Sequence, residues 1–415
     1  VSMRLPLRPI VSALRRRPLM PWLVAVQVAV AVAILANAVF LLQRQVMPLL
    51  ADDGIARDRL LLVDQMVARR GSWTAAQIDA VTALIDGIPG VEAAAPALGL
   101  PMKQSMTFTL SLRGPGGESV VASGFAGEGL REALGLDLVQ GRDFEPGEGF
   151  RVDLASGGVD IPAGTPVILT EALARLWFPD GDALGGRLEQ TDGGRHLVVV
   201  GVVRRLLRYQ LDELDDGRAQ YSILLPAQIV SVPVLNYAVR VDPQRRDAVA
   251  DALPAMLENE YGALMLAGVP VRVDSYEALR DAAFRSRRAA AWLFGTVIAV
   301  ILAVTGIGIG GLSAYWVETR LRLIGIRRAL DASRRDIIGH CLAENAVVVG
   351  MGLVPGLVAA YAINQWLMQA HAMARLPLAY LPLAALLLWL LGLYAASGPA
   401  RRAARVPPAI ATRSA

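Results

Sequence analysis

Apolar residues crowd into four runs, residues 22–42, 289–317, 341–368 and 378–396, each poor in charge and long enough to cross lipid as a helix. The first makes about 31 Å of helix, the thickness of a bilayer's hydrocarbon core. Residues 43–288, between the first two runs, hold no stretch of span length, so this whole segment stays on one side of the membrane. The pattern predicts an α-helical membrane protein with four transmembrane helices plus a large mixed α/β extracytoplasmic domain between helices 1 and 2.

Within that domain the period of apolar residues alternates. Residues 60–63, 91–97 and 106–112 predict strands, residues 72–85 an amphipathic helix, and Gly114-Pro115-Gly116-Gly117 a turn. A comparable unit returns late, with strands at 237–241 and 269–273 around a helix at 245–259. The two units, about 55–117 and 231–275, read as one α/β subdomain built from both ends of the segment, with an inserted subdomain at about 118–230. The insertion predicts a strand at 167–170, a short helix at 171–177, a tight turn at Pro179-Asp180-Gly181 and a strand at 196–203. Residues 275–288 carry no Gly or Pro and predict a helix running on into the second span.

Charge orients the chain. Arg4, Arg8, Arg15, Arg16 and Arg17 place residues 1–21 in the cytoplasm by the positive-inside rule. Ala36-Asn37-Ala38 has the form of a signal-peptide cleavage site, but the apolar run continues past it to Leu42. Gln27 and Asn37 within this span either bond across helices or satisfy their own backbone. Four spans return the tail, residues 397–415, to the cytoplasm, in keeping with Arg401, Arg402 and Arg405. All but four of the 37 acidic residues lie between 52 and 281. The hydrophobic content of 54% and the mean hydropathy of +0.44 are too high for a soluble protein. Lys103 is the only lysine, and no basic-aromatic platform suits nucleic acid. The single cysteine, Cys341, lies outside the large domain, which must therefore be held by its core and not by disulfides.

The stretch from Thr305 to Ile338 joins membrane to cytosol. Gly306 and Gly310 form a small-xxx-small pair, with Gly308 and Gly311 beside them, suited to close approach of another helix in lipid. Beyond Val317, Arg320, Arg322, Arg327 and Arg328 alternate with Leu321, Leu323, Ile324, Ile326 and Leu330, a mixture that fits a docked surface helix. Leu323, Ile326 and Leu330 share a stripe, Asp331 suits a helix end, and Ser333 with Asp336 resembles a capping pair that restarts a helix. Glu344 is the only carboxylate in a span, and its place about one turn from the cytosolic end suits pairing with nearby arginines.

The segment GIGIGGLSAYWVETRLRLIGIRRALDASRRDI resembles the signature of FtsX-like ABC transporter permeases, in particular the mechanotransmitting MacB/LolC branch (type VII). That signature reads as a GIGI stretch, a TER pair, EIGIRRALGA and a basic RRDI; Leu323 stands where the family has Glu, and Asp331 where it has Gly. Residues 167–203 are similar to the exported domain of MacB-type proteins, and PARRAAR in the tail is similar to the family's ending. Phe178, Gly181 and Gly185 in the former stretch read as turn and packing residues. The resemblance implies a porter-like periplasmic domain and an ATPase-coupling set of Glu318, Arg320, Leu323, Gly325, Ile326, Arg327, Arg328, Leu330 and Asp331 within a cytoplasmic coupling segment, 318–340. It further implies a dimer with a second permease copy or paralogue, a cytosolic ABC ATPase partner that binds ATP and Mg, and a place in the bacterial inner membrane among lipids. An efflux role with a periplasmic adaptor and outer-membrane channel belongs to the same picture.

The chain itself offers no P-loop, and Gly306–Gly311 has no following Lys. His196, His340 and His371 are scattered, so no metal set is expected. No nucleophile elbow occurs, and Ser333, close to His340, reads as a cap, so no enzyme active site or bound cofactor is expected in this chain. A permease that regulates an envelope hydrolase without transport, and a membrane sensor without an ATPase, are the alternative readings. The smaller exported domain of the former and the basic segment left idle in the latter weigh against them.

Overall fold

Lipid leaves a backbone nothing to bond to but itself, so the apolar runs become helices: α1 (Leu19–Leu50), α7 (Arg285–Glu318), α8 (Arg334–His371) and α9 (Tyr380–Ala403). The computed structural model describes residues 19–50, 53–156, 159–191, 193–208, 218–320, 333–371 and 375–405. The four helices are long and apolar enough to cross a membrane, and each outruns its apolar core; α7, with 34 residues, is about 51 Å long. α1 passes unbroken through Ala36-Asn37-Ala38. The chain divides into a membrane unit, Val1–Met47 with Arg287–Ala415, and an interhelical unit, Pro48–Ser286.

In the membrane unit α1 is the most enclosed helix and α7 the least. Val32, Leu35 and Ala36 pack with Ala360, Ala384 and Leu388, while Val24 and Val28 pack with Ile309, Val348 and Val349.

The interhelical unit is built on three sheets. Short runs of apolar residues, some alternating with polar ones and some continuous, form β1 (Leu60–Val67), β2 (Trp73–Thr74), β3 (Val91–Pro96), β4 (Phe108–Arg113), β5 (Ser119–Ala126), β6 (Leu138–Gly141), β7 (Phe150–Asp153), β8 (Pro166–Thr170), β9 (Arg187–Gln190), β10 (His196–Val203), β11 (Ser222–Leu225), β12 (Ala227–Val232), β13 (Val234–Val241) and β14 (Arg272–Ser275). Strands from the two ends of the unit make one antiparallel sheet, β14-β1-β13-β3. A second sheet closes on itself, because β9 pairs with both β4 and β10, giving a barrel in the order β4-β5-β11-β8-β10-β9 with β6 added on β10. β4 therefore belongs to the barrel, upstream of residue 118, where the inserted subdomain was expected to begin. Along β8, Val167 and Leu169 enter one core cluster and Ile168 the other, the two-residue period of a strand covered on both faces. The small third sheet is β2-β12-β7.

Between these strands lie α2 (Ala75–Asp86), α3 (Leu130–Ala133), α4 (Glu171–Trp177), α5 (Arg246–Tyr261) and α6 (Tyr276–Ala283). α2 starts three residues after the expected Ser72. Trp73 is drawn into pairing with Val232, its Nε1 donates to the Met66 carbonyl, and Gln77 Oε1 accepts from the Thr74 N–H at 2.9 Å, which fixes the first turn there. Buried Tyr237 donates its hydroxyl to the Ile78 carbonyl at 2.8 Å and lies 3.0 Å from Thr82 Oγ1, tying α2 to β13; burial raises its pKa well above the usual phenol range. The late strand lies at Arg272–Ser275, later than expected, because that stretch pairs with Leu61–Asp64 and Ser275 then caps α6.

The helix expected to run continuously from Ser275 into the second span is broken at Phe284, which has φ −92° and ψ 2° between α6 and α7. Its ring is buried under the Arg280 guanidinium, 4.7 Å away. Burial of one aromatic side chain, with no Gly or Pro to signal it, interrupts the helix.

Candidate coupling site at the helix ends

α7 ends in Trp316, Val317 and Glu318, and the chain turns with the Thr319 hydroxyl donating to the Trp316 carbonyl at 2.9 Å. Arg320 folds back so that its guanidinium sits 4.7 Å over the Trp316 ring. Its Nη1 reaches both carboxylate oxygens of Glu344 on α8, at 3.0 and 3.2 Å. His340, one turn before Glu344, places Nε2 3.4 Å from Oε1. Glu344 is buried and Arg320 is partly so, and their union joins the end of α7 to the first turns of α8. On the other side of the intervening segment, the Ser333 N–H and hydroxyl both donate to Asp336 Oδ2, at 3.1 and 2.6 Å, while the Asp336 N–H donates to Ser333 Oγ. This reciprocal cap starts α8 seven residues before its apolar run. The segment between, residues 321–332, is bracketed by an ion pair at its start and a cap at its end. Of the expected coupling residues, Glu318 is exposed at the helix end and Arg320 is in the clamp. Leu323, Gly325, Ile326, Arg327, Arg328, Leu330 and Asp331 lie outside the described residues.

The four glycines of α7 point in three directions. Gly306 and Gly310 meet α9, where an added Cβ would lie 3.7 Å from Leu391 Cδ1 and 3.6 Å from the Ala395 carbonyl oxygen, ordinary contacts. Gly308 faces α1: its missing side chain leaves the space taken by Gln27, whose Nε2 donates to the Val304 carbonyl at 3.1 Å. Gly311 meets nothing within 4 Å. The tightest backbone approach is elsewhere, at Gly352 and Gly356 of α8, where a Cβ would come within 2.4 Å of the Ala25 carbonyl oxygen and 2.1 Å of Val32 Cγ1. This second small-xxx-small pair was equally visible in the sequence.

Carboxamides complete the bundle. Asn37 Nδ2 donates both to its own Ala33 carbonyl and to Ala360 of α8, at 2.9 and 3.1 Å, so both readings of this residue hold. Asn345 Nδ2 donates to the Gly392 carbonyl of α9 at 2.8 Å, and Asn364 Oδ1 accepts from the Leu376 N–H at 2.9 Å. Every helix of the bundle is thus tied to another by a side-chain amide, and the Arg320–Glu344 ion pair adds a link at the α7–α8 end. No group of His, Cys, Asp and Glu that could hold a metal occurs among the described residues.

Residues 295–408, which hold the clamp and most of α7, α8 and α9, match the profile of the FtsX-like permease C-terminal family. Among relatives, the pyoverdine export ATP-binding/permease protein PvdT of Pseudomonas entomophila is 32% identical over 137 residues, 33% of this chain and 21% of that one. The macrolide export ATP-binding/permease protein MacB of Azoarcus sp. is 31% identical over 45% of this chain and 30% of that one. An ABC transporter permease of Bacillus subtilis, YvrN, is 26% identical over 48% of this chain and 50% of that one. The chain spans between about a fifth and a half of the length of these relatives. The periplasmic region of MacB from Actinobacillus actinomycetemcomitans aligns with 55% of this chain and 94% of its own, at a TM-score of 0.36 and 13% identity. The extracellular domain of the ABC-type transporter YknZ aligns at 0.33 and 14%, covering 52% of this chain and 99% of its own. The likeness to the FtsX-like permeases therefore runs through the C-terminal membrane segment, residues 295–408.

Proposed function

We propose that this chain is the membrane subunit of an ABC system, coupled to a separate cytosolic ATPase that binds ATP and Mg. Closure of the ATPase displaces the segment around Arg320 to Asp331, the helices carry the displacement, and the interhelical domain, outside the cytoplasmic membrane, does the work on substrate by mechanotransmission. A second permease copy or paralogue completes the membrane part; an adaptor and an outer-membrane channel extend it across the envelope. The observation that supports this most is the bracket itself: a partly buried Arg320–Glu344 pair at one end and the Ser333–Asp336 cap at the other fix both ends of a basic, apolar-striped segment. A force applied between two fixed ends moves α7 and α8 and is not lost in slack.

Affinity purification from membranes in mild detergent, with mass spectrometry of what co-purifies, tests the reading. A stoichiometric P-loop ATPase is expected. Recovery of the chain alone, even after crosslinking at residues 320–331, refutes it. In the complex, Ile326→Asp is expected to leave ATP hydrolysis running while transport stops, and transport at the normal rate overturns the assignment of that segment.

A further inference from the structure

Lysine occurs once in this chain, at Lys103, and there it is buried against β1 and β14 of the four-stranded sheet. Its Nζ lies 3.1 Å from Asp64 Oδ1 on β1 and 2.5 Å from Asp274 Oδ2 on β14, with the three side chains 8%, 7% and 33% exposed. Ser105 Oγ donates to Asn236 Oδ1 at 2.9 Å, and the Ala97 N–H donates to the Asn236 carbonyl at 2.9 Å. Asn236 is itself fully buried, and its Nδ2 has no partner among the described residues. Two carboxylates thus share one ammonium. A compact ammonium on a flexible stem can sit between them where a planar guanidinium fork would need more room.

Backbone strain gathers at the same place. Among the described residues only three that are not glycine have positive φ: Gln65 at 67°, Met102 at 60° and Met106 at 52°. Gln65 follows Asp64 in a bulge of β1, and the two methionines flank Lys103 and Ser105. The left-handed region is unfavourable for such side chains and persists only where surroundings enforce it. Glycine at 102 and 106 would remove the penalty, as it does at Gly99, φ 79°, whose absent Cβ would lie 2.7 Å from the Gly124 carbonyl oxygen.

Residues 97–107 are also the link from β3, in the four-stranded sheet, to β4, in the barrel. Ala97 and Leu100 of the link enter a core cluster shared by the two, with Leu60 and Leu62 of the sheet and Phe125, Ile168 and Leu224 of the barrel, so the strap is packed on both sides. The four-stranded sheet holds β1 and β14, the first and last strands of the unit, so displacement entering from either end of the unit reaches this sheet before the barrel.

We propose that residues 97–107 are a strained strap between sheet and barrel, and that Lys103, paired with Asp64 and Asp274, is the latch that holds it. With the latch released the strap relaxes and the barrel swings against the four-stranded sheet. This assigns the interhelical unit an internal hinge, and it stands whether or not the coupling reading above is right.

The test uses the full chain in detergent, with Lys103→Met/Asp64→Asn removing the two buried charges together, so that the one carboxylate left, Asp274, is a third exposed and can be solvated. Hydrogen exchange of residues 97–107 should quicken at least about tenfold while β8 and β10 keep their protection. Spin labels at Asp86→Cys and Thr191→Cys in a Cys341→Ser background, both positions exposed, should show one distance between sheet and barrel with the latch intact and a second population without it. Met102→Gly/Met106→Gly should relieve the strap, slowing its exchange and keeping the single distance. Unchanged exchange in the latch variant, faster exchange with an unchanged distance, or faster exchange in the glycine variant would each overturn the proposal.

Discussion

Substituting Gly356 by alanine tests how closely α1 and α8 are packed. The added Cβ would lie 2.1 Å from Val32 Cγ1 and 2.6 Å from the Ala29 carbonyl oxygen, where ordinary contact begins at 3.4 Å. Neither neighbour is the free end of a flexible chain, so the helices must part by about an ångström, the difference between these distances and normal contact. Overpacking of this kind costs about 1–3 kcal/mol. Parting also stretches the bond from Asn37 Nδ2 to the Ala360 carbonyl, now 3.1 Å, to the limit of hydrogen bonding; losing it adds about 0.6–1.7 kcal/mol. Alanine returns about 1 kcal/mol in helix propensity, leaving a net loss of about 0.6–3.7 kcal/mol. Gly311→Ala gains the same propensity and meets nothing within 4 Å, so it should be neutral or stabilising. Cys341, the only cysteine, makes the assay direct: a thiol-reactive dye reports unfolding of α8 in detergent. Gly356→Ala should melt several degrees below the parent and Gly311→Ala at or above it. Equal melting of the two variants would refute the packing argument.

The clamp gives a second expectation: Glu344→Gln leaves Arg320 with a weaker acceptor and should lower the dye-reported stability by about 1–3 kcal/mol, less than a fully buried pair because Arg320 is partly exposed. Arg320→Lys should not restore it, since neither the contact with both oxygens nor the stacking on Trp316 survives. Tyr237→Phe removes the hydroxyl bonded to the Ile78 carbonyl and should cost about 1 kcal/mol in hydrogen-exchange stability of α2. The Arg142 guanidinium, bonded to Glu148, holds that carboxyl below its ordinary value. A depressed carboxylate stabilises the fold above the unfolded pKa and loses that contribution as pH falls through the folded one. The stability difference between the parent and Glu148→Gln should therefore be present near neutrality and vanish in acid; a difference that grows below pH 4.5 would contradict the sign.

The sequence was most legible where solvent does the selecting. Lipid demands long uninterrupted apolar runs, so the four helices were visible, but their ends were not. Ser333 and Asp336 start α8 among arginines, and a local cap carries the helix where hydropathy has already failed. Within the interhelical unit the strands around Leu62, Ile168 and Val199 announce themselves by short continuous runs of apolar, largely branched residues, yet their partners do not. β9, four residues of mixed polarity, gives no sign that it closes a barrel by touching both β4 and β10. The bulge at Asp64 and Gln65, the burial of Phe284 and the position of Lys103 are decided by distant chain, so they left no local mark. At the helix ends, Arg320 and Glu344 were identifiable by charge alone, since a carboxylate in a membrane span needs a cation. The carboxamides at 345 and 364 were not, because an asparagine's partner is a backbone carbonyl that any residue supplies.

The order of strands in the four-stranded sheet bears on how the protein is made. β1 pairs with β13 and β14, so that Leu61 lies beside Ser275, nearly the full length of the domain away. Contacts of such separation pay the loop-closure entropy of everything between and form slowly. As the chain emerges, β1 has no strand partner until β13 arrives and gains its second only with β14, whereas the barrel, drawn from one intermediate stretch, has its strands together earlier. The topology therefore builds in a late closing step: the barrel's strands all lie between residues 108 and 225 and can pair among themselves, while the sheet that joins the domain's two ends is complete only when β14 has joined β1.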